Sequence, residues 1–147
     1  MYATLVESDI YFLTRLHSDG WDEHSLTQRV AALTTATRQI DRLNFKGCKA
    51  VSTQANEFPR GLDTEVPEDI KIACMEIAFS LLVDGKDAEK EQENLTIVSE
   101  GFGNIRDTKN KDFVPEHLNA GIVNAFAWKY LRPYLRNPES FKIVRTS

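Results

Sequence analysis

The chain has 147 residues, 41% of them hydrophobic and 27% charged, a balance that suits one domain with its own core and excludes wholesale disorder. A net charge of −4 excludes a basic surface over the whole chain and leaves only a local patch for gripping nucleic acid. Two cysteines, Cys48 and Cys74, are too few for a disulfide scaffold, and no apolar run of about 18 residues is present to span a membrane. With no basic and apolar leader at its start, the chain reads as a soluble intracellular protein.

Ser8 is placed to cap a first helix with Ile10, Leu13 and Leu16 or His17 on one face, ended by Asp19 and Gly20. Trp21 opens a short connection, and Asp22 or Ser25 can cap the next helix. Leu26, Val30, Leu33, Thr37, Ile40 and Asn44 step by three and four, drawing the stripe of a second helix that ends near Leu43. Residues 45–66 have little helical period and read as an ordered loop, in which Phe58, preceding Pro59, should be extended. Pro67, Glu68 and Asp69 suit the start of a third helix. From Ile70 to Val83 its side chains are apolar on most faces, the mark of a central helix, with Cys74 as a small buried hydrophobe.

A polar segment runs to Asn94. Strand chemistry at residues 95–99 and a glycine turn at 101–103 then predict a β-hairpin over about 95–109. Pro115 opens a last helix to about Leu135, with Leu118, Ile122, Ala125, Phe126, Trp128, Tyr130 and Leu131 as its apolar side chains and Pro133 stopping it. The expected fold is mainly α: a small bundle of about four helices around a central apolar helix, with a hairpin and an extended C-terminal tail. Residues 1–135 form the domain and 136–147 the tail.

Catalytic patterns are absent. His17, His24 and His117 sit in unrelated contexts without metal-ligand spacing, so neither a metal nor another cofactor is expected, and the protein does not read as an enzyme. Glu89, Glu91 and Glu93 form a solvated run with no apolar pocket to shift a pKa. Phe58, Pro59 and Arg60 admit two compatible readings. In one, Phe58 is buried, Pro59 stiffens the loop and Arg60 pairs with an acid; in the other, Arg60 reaches a neighbouring subunit. Gln54 likewise fixes the loop or makes a contact. From residue 129 onward, Lys129, Arg132, Arg136, Lys142 and Arg145 face only Glu139, leaving this end at +4 and the remainder at about −8. With Phe141, Ile143 and Val144 interspersed, the tail suits docking on an acidic surface.

Three elements resemble the head-to-tail adaptor, or head-completion, proteins of tailed bacteriophages. They are the helical run from Ala32 to Asp41, then Phe45, Lys46 and Gly47, and then Gln54 followed by Phe58, Pro59 and Arg60. The match continues through Leu131, Pro133, Tyr134 and Leu135, while Ala55 and Asn56 depart from the pattern. The resemblance implies a structural virion protein in the neck between capsid and tail, made in the host cytoplasm. Its expected partners are a portal protein, further copies of itself in a ring of about twelve, and a tail-side connector. Packaged double-stranded DNA would pass without sequence-specific binding, and no membrane is involved. Gln54, Phe58, Pro59, Arg60, Arg132, Arg136 and residues 141–145 become the interface candidates. The alternative is a single-stranded-DNA-binding protein resembling primosomal proteins. That function wants aromatic side chains on a basic groove, whereas most of these aromatics fall on apolar helical faces.

Overall fold

The computed structural model describes residues 1–83, 85, 101–102, 105–106 and 115–136. The first helix, α1 (Leu5–Thr14), starts a turn earlier than Ser8 would place it, because Thr4 and Glu7 form a reciprocal capping box. Thr4 Oγ1 accepts the Glu7 N–H and the Glu7 carboxylate accepts the Thr4 N–H at 2.7 Å. Ser8 is instead buried inside the helix, its hydroxyl donating to the Thr4 carbonyl.

The apolar stripe drawn by Ile10, Leu13 and Leu16 faces outward. Ile10, Leu13 and Leu16 are 60%, 80% and 83% exposed. Phe12 decides the orientation, since its ring packs on Trp21 at 4.4 Å and Phe79 at 5.2 Å, and one aromatic buries roughly 150–250 Å². Trp21 closes the helix junction, fully buried, with its indole N–H donated to Asp9.

Helix α2 (Leu26–Asp41) is capped by Ser25 in a second capping box, with Gln28. Of the predicted stripe, Leu33, Thr37 and Ile40 are buried, while Leu26 and Asn44 are exposed. Ala32 and Ala36 complete the buried face; having no bulk beyond Cβ, they let α3 (Glu68–Val83) approach. Helix α3 packs against α2 and also against α5 (Ala125–Leu131), burying Ile70, Ala73, Cys74, Met75, Ile77 and Ala78.

One fully buried residue of α3 is charged. Glu76 accepts from Arg15 through Nε at 2.6 Å and Nη2 at 2.9 Å, and from the Tyr11 hydroxyl at 2.7 Å. A carboxylate this deep is tolerable only with such partners.

Residues 115–135 are not one helix. A short α4 (Glu116–Asn119) ends ahead of Gly121, whose φ of +78° suits glycine, and Asn124 starts α5 afresh by accepting the Ala127 N–H. The Asn124 amide also donates to the Glu76 carbonyl and to Ser80, tying the new start to α3. A 3₁₀ turn (Arg132–Tyr134) containing Pro133 finishes α5. Two-residue strands β1 (Gly101–Phe102) and β2 (Ile105–Arg106) pair antiparallel, Gly101 opposite Arg106 and Phe102 opposite Ile105. The remainder of the stretch predicted as a hairpin, 95–109, lies outside the described residues.

Candidate functional site

The 44–61 loop is held by its own side chains. Phe58 is buried and meets three rings edge-on, Tyr2 at 5.9 Å, Phe45 at 4.7 Å and Tyr134 at 5.7 Å, and its peptide bond to Pro59 is cis. The Tyr2 hydroxyl donates to Asp41 and accepts the Phe58 N–H, and burial, helped by Asp41, pushes its pKa up. Arg60 donates to the carbonyls of Lys46 at 2.9 Å and Gly47 at 2.6 Å and pairs with Glu57. Gln54 accepts the Val51 N–H and donates to the carbonyls of Asn56 and Pro59. The side chains of Gln54, Phe58 and Arg60 are therefore engaged within the chain, as the packing reading has it.

The open charges lie next door. Lys46, at the end of this loop, shares a groove of about 610 Å³ with Glu116 and His117 of α4, Trp128 and Lys129 of α5, and Arg132, Pro133 and Leu135 beyond it. Backbone pairing fixes the loop against the 3₁₀ turn: the Lys46 N–H donates to the Tyr134 carbonyl and the Arg136 N–H to that of Asn44, both at 2.9 Å. The Lys46 ammonium rests on the Pro133 carbonyl at 3.1 Å. Arg132 pairs with Glu116 at 2.6 Å, but both side chains are half exposed, so the pair is weak and open to exchange with another anion. Three cations against one acid leave this groove positive in a chain of net charge −4.

Across the 3₁₀ turn the sign reverses. A second cleft of about 550 Å³, bounded by Tyr134, carries Asp63 and Glu65. An anionic ligand is thereby attracted to one side of Pro133 and repelled from the other.

Phe126, one of the side chains of the predicted last helix, is 46% exposed on α5. With α5 restarted at Asn124, Ala127 and Leu131 turn inward, while Phe126 and Lys129, three residues apart, share the outer face. Trp128 is largely buried but lines the positive groove.

Among the predicted site residues, the structure groups Gln54, Phe58, Pro59 and Arg60 in the loop and places Arg132 in the groove, with Arg136 just beyond it. Phe141, Lys142, Ile143, Val144 and Arg145 lie outside the described residues, as do Glu89, Glu91 and Glu93. The groove role of Lys46, His117, Trp128 and Lys129 is new; the signal for it in the sequence was Lys129 and Arg132 at helical spacing beside tryptophan. Both cysteines are free, Cys48 exposed and Cys74 buried. No metal-binding cluster and no helix long and apolar enough to cross a membrane occur among the described residues.

A family model described as "Putative DnaT-like ssDNA binding protein" matches residues 1–146. No curated protein and no solved structure matches the chain. The family match overturns the head-to-tail adaptor resemblance, and with it the portal, the ring of copies, the tail-side connector and the passive channel for double-stranded DNA. Physically, the Gln54-to-Arg60 run that carried the resemblance consists of residues a loop needs in order to close on itself. The objection to a DNA-binding role, that the aromatics belong to the core, holds for Trp128 and fails at Phe126.

Proposed function

The chain belongs to the DnaT-like ssDNA-binding protein family, and on that premise we propose that it binds single-stranded DNA along the groove between the 44–47 loop and α5. The family match over nearly the whole chain carries the reading. The groove supplies the place: Lys46, Lys129 and Arg132 offer three cationic contacts to successive phosphates, and Arg132 can exchange Glu116 for a phosphate at little cost. The acidic cleft beyond Pro133 keeps the strand from straying across the turn.

The role is binding, with no chemical step. The support is a helical bundle organised about α3. The tail, 136–147, follows directly from Leu135 in the groove wall, and its Lys142 and Arg145 add positive charge to the same end of the chain.

Fluorescence anisotropy with a labelled oligothymidine tests the reading. Three phosphate contacts on a single strand predict log affinity falling with log salt at a slope of about −2. The double variant Lys129→Glu, Arg132→Glu should abolish binding at physiological salt while its circular dichroism is unchanged. Wild-type protein without binding at low salt would sink the proposal.

A further inference from the structure

We infer that Phe126 is the base-stacking platform of this groove and makes it select single-stranded over duplex DNA; this deepens the DNA-binding reading above and rests on it. Among the described side chains Phe126 is the one exposed aromatic, the others being buried or half-buried. It cannot be dismissed as helix-packing surplus, because α5 is short and its inward positions are already filled by Ala127, Trp128 and Leu131.

Its placement fits a base beside a bound phosphate. Phe126 stands three residues before Lys129 on one helix face, a spacing that puts their Cβ atoms about 5–6 Å apart. Lys129 lines the positive groove, so a phosphate held there would leave its nucleoside within reach of the Phe126 ring. That ring is also oriented in advance: Tyr130, four residues on, meets it edge-to-face at 5.3 Å and 76°. A base can stack on a phenyl face in this way only if it is unpaired, and every base has such a face. The contact therefore discriminates by strandedness and hardly by sequence. A duplex would reach the cations but leave Phe126 idle.

The test compares wild type, Phe126→Leu, Phe126→Trp and Lys129→Ala on an oligothymidine and on a duplex of equal length. Phe126→Leu keeps the apolar volume and removes the ring. It should weaken oligothymidine binding by about thirtyfold, the middle of the range for one stacked base, with the salt slope and duplex affinity unchanged. Phe126→Trp should bind at least as tightly as wild type, and Lys129→Ala should lower the salt slope for both ligands. Phe126→Leu binding oligothymidine like wild type, or losing duplex affinity in parallel, would overturn the stacking role while leaving the DNA-binding reading intact. No oligothymidine binding by wild type would overturn both. If Phe126→Leu fails to fold, the Phe126→Trp arm decides: binding weaker than wild type by a folded tryptophan variant contradicts a stacking site.

Discussion

The 44–61 loop and the outer face of α5 adjoin one another and use similar residues in opposite ways. In the loop, an arginine and an aromatic are turned inward: Arg60 closes on the Lys46 and Gly47 carbonyls, and Phe58 fills a nest of three rings. On α5, Lys129 and Phe126 face outward and are exposed. The residues that look like a motif hold the fold together, and the residues that look ordinary are free to meet a ligand. Lys46 belongs to both regions, its backbone to the loop and its ammonium to the groove.

That contrast predicts that loop substitutions register as stability and α5 substitutions as affinity. Phe58→Ala should have the largest effect, lowering unfolding free energy by about 3–5 kcal/mol, since a buried phenyl ring leaves a cavity; chemical denaturation measures it. Glu76→Ala should cost about 3 kcal/mol by the same assay, because it strands the Arg15 guanidinium and the Tyr11 hydroxyl at once. Lys129→Ala should leave stability within about 0.5 kcal/mol and reduce the salt slope of oligonucleotide binding by about 0.7. A large stability loss from that exposed lysine would erase the distinction between the two regions.

The smallest expected effect is a pH dependence at α1. The hydrogen bond from Lys71, and after it the Thr4 amide, hold the Glu7 carboxyl at about 2 against an ordinary 4.5. Its folded value being depressed, its contribution is complete above about pH 4.5 and is lost as pH falls toward 2. Glu7 is more than a third exposed, so solvent screening keeps that contribution below about 1 kcal/mol. Thermal melts from pH 5 to 2 should show a shallower acid decline for Lys71→Met than for wild type.

Much of the helical content was legible in the sequence, because the signals are local. Ser25 stands where a cap is needed, the Leu33–Thr37–Ile40 step is buried, and Pro67 immediately precedes α3. Orientation was less legible. Periodicity finds an apolar stripe on α1 but cannot tell it from the side carrying Phe12, and tertiary packing on Trp21 and Phe79 settled the choice. The break before Asn124 was hidden because Gly121 sits in an apolar pattern that runs on past it. Glu76 could have been noticed: a lone acid within the apolar run of α3 requires a partner, although nothing local names Arg15. The groove was the least legible, for Lys46 and Lys129 are far apart in sequence and meet only through backbone pairing of residues 44–46 with 134–136.

The most direct test of where DNA binds is an amide-resonance titration of the isotope-labelled protein with an oligothymidine. Binding along the groove predicts shifts concentrated at Lys46, His117 and residues 126–132, with the amides of residues 50–60 unmoved. Shifts centred on residues 54–60, with α5 silent, would contradict it.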